Sequence, residues 1–512
     1  MRLIATVWIG SILGLLISCG ESDVPTGRFD ILIENGSVID GTGREAIDAD
    51  ILVRADTIAY IGKVDKSKIE VADVFDAREK IISPGFIDAH AHGDPIRDGE
   101  FENFLRMGVT TICLGQDGFS YPSTDYNAWM DSVDSAGLGV NVISFMGHST
   151  LRELSGTGYV AEPTAEQLDS MRLLLTKAME DGVFGMSTGL EYTPGYYAQA
   201  KEMAALAKVV GEKRGIIMSH MRNEDDDQVE KSIDELLGQG EFAPVHISHF
   251  KVVYGKGPER AKHLLSKLDS ARSAGITVTA DVYPYTASYT GIGIVFPDWA
   301  KAPNDYEQVK ASRRKELEAF IRERITKRNG PDATLFGNGD WKGMTLTQVA
   351  DSLGLPFEKV LIDRIGPEGA SGAYFVMNEE LQSALIQDSL VCISSDGSPT
   401  MHHPRGYGAF AKIIRQYVNE THQLTLTDAV RKMTSLPASI LGMKDRGIIQ
   451  VGAKADLLIF DASKIIDRAT YEEPHQFAEG FEVVILNGGV VFSRENPSVT
   501  KHGRFLRKEF LK

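Results

Sequence analysis

The chain has 512 residues, 43% hydrophobic and 24% charged, the composition of a soluble globular protein long enough for a large catalytic domain and a smaller companion. Its formal net charge of -17 leaves no basic stripe to displace counterions from phosphates, which argues against nucleic acid as a partner. No Gly-x-Gly-x-x-Gly opens a helix after a strand, so dinucleotide-dependent oxidoreduction is disfavoured too.

The first residues break the soluble pattern. Arg2 precedes an apolar run from Leu3 to Ile17, too short to cross a bilayer comfortably but suited to the hydrophobic part of an export signal. The run closes with Leu16-Ile17-Ser18-Cys19, which resembles a bacterial lipobox. Residues 1–18 are therefore read as a signal peptide, Cys19 as a lipidated residue and 19–28 as a linker. The protein is expected in the bacterial cell envelope, touching a membrane only through that lipid. A mature protein without covalent lipid on Cys19, by mass spectrometry, would remove this expectation. The other cysteines, Cys113 and Cys392, lie in apolar strand-like runs and read as buried free thiols.

From Phe29 to Ile82 short strands alternate with turns, Asn35-Gly36 and Asp40-Gly41 marking two of them. The same texture returns in GIIQVGAKADLLIFDAS and GFEVVILNGGVVFSR. This predicts one small β domain assembled from residues 29–82 and 440–512. Between them, over 83–439, apolar strand runs alternate with helical patterns: 81–90, 110–115, 140–147, 183–189, 215–220, 244–249, 276–282 and 390–396. Helices are predicted over 164–181 and 196–215. Alternation alone also fits an open doubly wound sheet, but polar residues gather at the C-terminal ends of the runs, where barrel enzymes carry their chemistry. The fold class is α/β, a (β/α)₈ TIM barrel plus a small β-sandwich. The long gap after the seventh run, about 290–385, is an insertion with helix around 305–328, shaping the mouth.

At the first strand end stands Asp88-Ala89-His90-Ala91-His92. Residues two apart on a strand face one side, so His90 and His92 form half of a divalent-metal site. Alone, such a pair is weak evidence. His220 and His249 end two further runs and Asp396 ends the last, so the set converges on one mouth if the barrel is right.

The motifs SPGFIDAHAH, GVTT, GHSTLR, STGLEYTPG, SHMRNE, SHFK, DVYPYTAS, SSDG and HPRGYGAF span almost all of the mature chain. Together they are similar to the amidohydrolase superfamily, and within it to the N-acyl-D-amino-acid deacylases (D-aminoacylases). The resemblance implies one or two zinc ions and a barrel with a β-sandwich. One departure matters: where that family places a metal-binding cysteine, this chain has Gly115-Gln116-Asp117-Gly118. Asp117 or Glu191 is the candidate to fill the cysteine's place, beside His90, His92, His220, His249 and Asp396.

The implied reaction is metal-dependent hydrolysis of a linear amide, with Asp396 taking a proton from water and passing it to the leaving amine. The implied substrate is a small N-acyl-D-amino acid. Lys251 and Tyr283 are expected on its α-carboxylate, with Arg222, Tyr192 and Ser288 as further substrate contacts and no role derived for His148 or Arg405. Two other readings stand beside this one: a relative cleaving D-configured dipeptides or cyclic amides, and a non-catalytic surface lipoprotein that kept the fold for binding.

Overall fold

The computed structural model describes residues 25–508, so the expected signal peptide and Cys19 lie outside the described residues. Among the described residues no helix is long and apolar enough to cross a membrane. The first β-rich stretch and the last do form one sheet. Its order runs Gly489–Ser493, Phe481–Leu486, Leu457–Phe460, Ile81–Pro84, Gly27–Val38, Ile47–Arg54 and Thr57–Gly62, with Ile69–Asp76 also paired to Gly27–Val38. The long first strand serves two cores: Ile31 and Ile33 pack with Ile51, Val53 and Ile459, while Leu32, facing the other way, packs with Leu52 in a second cluster that Phe29 joins from the strand's start.

The run predicted as a single strand over 81–90 is divided. Ile81–Pro84 belongs to the terminal sheet, whereas Phe86–Asp88 begins a set of parallel strands. Gly85 sits between them, where an added Cβ would meet the Thr110 side chain at 2.2 Å. Phe86–Asp88, Val109–Leu114 and Asn141–Ser144 pair in parallel. After Phe145 the pairing resumes through Met146–Gly147, Gly185–Gly189, Ile216–His220, Val245–Ile247, Val278–Val282 and Val391–Ile393. The last and first of these strands are joined just past their ends: Asp396 N donates to His90 O at 2.9 Å and His92 N to Gly397 O at 2.7 Å. These strands are short and, Thr279 apart, buried, as strands covered on both faces must be.

Helices cover them. Ala165–Asp181 starts in a capping box, Thr164 with Gln167, and ends at Gly182 in the left-handed conformation, so the orphan backbone groups at both ends are met. Its Met171, Leu175, Ala178 and Met179 form the buried stripe. The second predicted helix is shorter than expected, Ala200–Glu212, because Gly195–Tyr197 forms a separate 3₁₀ turn. Cys113 and Cys392 are buried free thiols.

The insertion has its own sheet, Ala287–Gly291, Ser371–Phe375 and Thr334–Phe336, all antiparallel. It also has its own core, including Ile292, Leu317, Ile321, Phe336, Val349 and Tyr374. The helical stretch resolves into Tyr306–Ser312 and Arg314–Lys327. Glu379–Gln387 packs instead on Pro258–Ser273, so the insertion ends earlier than its predicted limit. The C-terminal segment also leaves the small sheet: Val142 N donates to Arg504 O at 3.0 Å and Leu506 N to Val142 O at 2.8 Å, strapping the tail onto a parallel strand.

The GHSTLR motif has a structural part to play. His148 and Arg152 are both buried and share Glu202, at 2.7 Å and 2.6 Å. Arg152 also donates to Gly158 O at 2.9 Å, pinning the turn after its helix. Removing one member of a buried ionic group strands the others, so Arg152→Leu is expected to cost roughly 3–5 kcal/mol. Urea unfolding measures it, and a change below about 1 kcal/mol would show that the cluster contributes no net stability.

Candidate metal centre

Every predicted donor stands at or just past the C-terminal end of a parallel strand. Three of them hold backbone conformations that L-residues avoid: Asp117 at φ 55°, His249 at φ 37° and Asp396 at φ 48°. Surrounding bonds enforce this. His249 N donates to Asp281 Oδ1 at 2.9 Å, and Gly118 N donates to Ser187 Oγ at 3.2 Å. Gly189 leaves room for the turn, since a Cβ there would lie 2.0 Å from Asp117 O.

Asp117 is the hub. Its Oδ1 lies 3.2 Å from His249 Nε2, 3.3 Å from His90 Nε2 and 4.0 Å from His220 Nδ1, and its Oδ2 lies 3.5 Å from His92 Nε2. Asp396 Oδ1 is 3.1 Å from His92 Nε2 and 3.8 Å from His90 Nε2. Two donor groups result, sharing Asp117: His90, His92, Asp117 and Asp396, then Asp117, His220 and His249, each with ligand atoms within 4.8 Å. His90 is fully buried, yet neither of its ring nitrogens has a hydrogen-bond partner. A buried imidazole left so is costly unless a cation takes its lone pair. Imidazole nitrogens with carboxylate oxygens are donors that suit zinc. The residues present therefore fit one or two such ions.

A second layer holds the donors. Asp281 accepts from His246 Nε2 at 2.8 Å and from Ser394 Oγ, and Asp88 accepts from Ser395 N at 3.0 Å and from Ser395 Oγ. Burial pushes Asp88 up to about 7, despite the Ser395 bonds that oppose it. Burial and Lys251 act to lower the His249 pKa, but Asp117 and Asp396 outweigh them and hold it at about 10 in the metal-free site. A metal ion must expel that proton, so metal binding here competes with acid. Burial likewise pushes Asp396 up, and Arg405, at 2.8 Å, together with the histidines overcomes it, leaving its carboxyl far below the usual range.

Other predicted residues fare differently. Glu191 meets His220 at 3.1 Å, in a third donor group with Glu224, whereas Asp117 belongs to both of the groups that hold the other histidines. Lys251 is buried at the site but already paired with Glu224 at 2.8 Å and close to His249 Nδ1 at 3.0 Å. Tyr283 is buried with its hydroxyl unpartnered, its ring 4.8 Å from the Arg405 guanidinium carbon. Tyr192 packs against His220 at 4.5 Å, and Ser288 lines a recess beside the donors. Arg222 is not brought to the donors: Glu235 holds it twice at 2.8 Å, and the Tyr196 and Ala198 carbonyls take two more of its N–H groups. A strand-end position does not fix where so long a side chain ends. Sequence reasoning missed Glu224 and the pairing of Arg405 with Asp396. Glu224 was visible as the residue four beyond His220 in SHMRNE. Arg405 carried only a motif match.

A cavity of about 560 Å³ opens beside His92, Asp117 and Asp396. Phe119, Tyr121, Trp129, Tyr192 and Tyr289 line it together with polar side chains such as Gln116, Ser120 and Thr290. The arrangement can bind a divalent cation, hold an ionised base next to it and admit a ligand with a sizeable apolar part.

A family model described as the amidohydrolase family matches residues 347–492. An N-acyl-D-glutamate deacylase of Alcaligenes xylosoxydans xylosoxydans is 32% identical over 508 residues, covering 94% of this chain and 97% of the relative. The crystal structure of an N-acyl-D-glutamate deacylase from Bordetella bronchiseptica, complexed with zinc and a phosphonate inhibitor, superposes with a TM-score of 0.82 at 31% identity, covering 94% of this chain and all, 100%, of that one. A D-aminoacylase structure concerned with a binuclear metal centre gives a TM-score of 0.81 at 27% identity, with coverage of 94% and 100%. Sequence and structure thus agree along nearly the whole length, and the chain belongs to the N-acyl-D-amino-acid deacylase (D-aminoacylase) family of the amidohydrolases.

Proposed function

We propose that this amidohydrolase cleaves the amide bond of N-acyl-D-amino acids, releasing a carboxylate and a free D-amino acid. The observation that carries the reading is the meeting of four histidines with Asp117 and Asp396 at the parallel-strand ends. In this reading the parallel strands are a (β/α)₈ barrel, the terminal sheet is the family's β-sandwich, and the insertion follows the seventh barrel strand. Export and lipid attachment at Cys19 belong to the same proposal and are supported by the apolar run that stops there.

His90, His92, Asp117 and Asp396 would hold one zinc ion, and Asp117, His220 and His249 another. When bound, zinc makes water acidic and polarises a carbonyl oxygen. The rest is the work of this chain. Asp396 is ionised and fixed between His92 and Arg405, ready to take a proton from water at Oδ1. It then delivers that proton to the amide nitrogen, which departs as a neutral amine. Arg405 has Nε without a hydrogen-bond partner, and the Tyr283 hydroxyl beside it is also unpartnered. Both are suited to the substrate's α-carboxylate. The cavity of about 560 Å³ would take the acyl group and exclude water from the reacting bond.

Purified protein assayed for bound metal and offered N-acetyl-D- and N-acetyl-L-amino acids in parallel tests the proposal. Stoichiometric zinc and turnover of the D-series are expected. Equal rates on both series would defeat the stereochemical claim, and no turnover of either would defeat the substrate class.

A further inference from the structure

A second cavity, of about 470 Å³, is lined by the Glu379–Gln387 helix, the Arg405–Lys412 helix and residues 467–472. None of the metal-binding residues lines it, and its volume is that of a small-molecule site. Two kinds of open polar group meet there. Lys412 is half-buried, donates no hydrogen bond among the described residues, and has only the Tyr285 ring, 4.1 Å from its Nζ. Burial lowers its pKa against the pull of Asp467, so the ammonium is poorly answered. Tyr285 is 5% exposed, and its hydroxyl has no hydrogen-bond partner. Gln382 is 1% exposed: its Nε2 donates to Tyr283 O at 2.8 Å, but its Oε1 accepts nothing. Glu379, three residues earlier on the same helix face, accepts from Gln416 Nε2 at 3.3 Å and has no cationic partner among the described residues. Exposed Glu472 adds one more acid. Arg415 and Asp467 answer each other, with Glu420 also on Arg415 at 2.8 Å.

We propose that this cavity is a second ligand site, separate from the metal centre, that takes a small amino acid as its zwitterion. A simple anion would suit Lys412 and Tyr285 but leave the acids and the Gln382 oxygen unanswered, and a simple cation would do the reverse. A molecule carrying both charges satisfies both. Its carboxylate goes to the Lys412 ammonium and the Tyr285 hydroxyl, and its ammonium to Gln382 Oε1 and Glu379. The inference goes beyond the deacylase reading, on which the released amino acid is itself such a ligand. The cavity also backs onto the substrate side of the metal centre. Gln382 holds the Tyr283 carbonyl, and the Tyr285 ring meets that of His403 at 5.5 Å. His403 Nδ1 in turn accepts from Arg405 N at 3.1 Å. Occupancy therefore bears on Tyr283 and Arg405, the two residues suited to the substrate's α-carboxylate.

Calorimetric titration of the full chain, loaded with zinc, with D-alanine, acetate and methylammonium tests the site without turnover. D-Alanine is expected to bind more tightly than either half-ligand. Lys412→Met and Glu379→Gln should each weaken that binding at least about tenfold, the loss of one charge-assisted hydrogen bond. In both variants kcat/KM measured without added D-alanine should stay near wild type. Binding of D-alanine at the metal centre would be indifferent to these substitutions, so an unchanged affinity in either variant would overturn the inference. So would a wild type that binds no D-alanine, or one that binds acetate as tightly, which would leave a plain anion site. If no N-acyl-D-amino acid is hydrolysed, the deacylase reading fails while the titration still judges this cavity. If Lys412→Met does not fold, Glu379→Gln and the half-ligand comparison decide.

Discussion

Asp396→Asn is expected to cut kcat by about 10²–10⁴-fold, the contribution usual for a positioned general acid–base, while leaving most bound zinc in place. The substitution keeps shape but removes the site that must take a proton. Asp396 Oδ1 faces His92 at 3.1 Å, and Oδ2 is held by Arg405 at 2.8 Å. An asparagine in that position cannot relay a proton from water to a leaving amine. Metal is retained because Asp117, His220 and His249 form a complete donor group without Asp396. The left-handed backbone at 396 also tolerates asparagine well, so the strand end should not collapse. Steady-state kinetics beside metal analysis separates the outcomes. Residual activity within tenfold of wild type would remove Asp396 as the proton carrier, and loss of all metal would make it mainly a ligand.

The residues that carry this chemistry were legible in the sequence for a physical reason. A short strand buried on both faces admits few polar side chains, so a histidine or aspartate at its end is conspicuous. His90, His92, His220, His249 and Asp396 all stand out in this way. What periodicity could not supply was the destination of long side chains. Lys251 and Arg222 both lie two residues beyond a predicted histidine, yet one is buried against Glu224 and the other is tied to Glu235.

Element boundaries show the same limit. The run from Ile81 to His90 reads as one apolar strand, but it serves two sheets with Gly85 as the joint. The tail reads as part of the terminal β domain, yet its last described residues bond to Val142 on a parallel strand. Both are tertiary choices between partners of similar local character, which alternation along the chain does not encode.

Asp117→Asn is expected to weaken zinc binding by at least about 100-fold, since losing even an indirect support of a metal ligand costs about 10–100-fold and Asp117 is placed as a donor. Its carboxylate belongs to both donor groups, within 3.2 Å of His249 and 3.3 Å of His90. The resemblance to D-aminoacylases puts a thiolate at this position, so the chain has exchanged a soft donor for a hard one with two oxygens to share. Burial pushes the Asp117 carboxyl up, but His90 and His249 more than reverse this and keep it ionised. As pH falls, zinc must compete with the proton on His249, whose pKa stands at about 10 in the metal-free site. Affinity should therefore drop steadily with acidification in wild type and start from a lower level in the variant. Asparagine suits the φ of 55° at this turn, so a loss of metal reports on the donor rather than on a broken loop. Asp117→Cys supplies the complementary result. Loaded with cobalt, it should show a thiolate-to-metal charge-transfer band in the near ultraviolet that wild type lacks. Normal zinc affinity in Asp117→Asn, together with no such band in Asp117→Cys, would remove residue 117 from the coordination sphere and leave the two histidine pairs without a bridge.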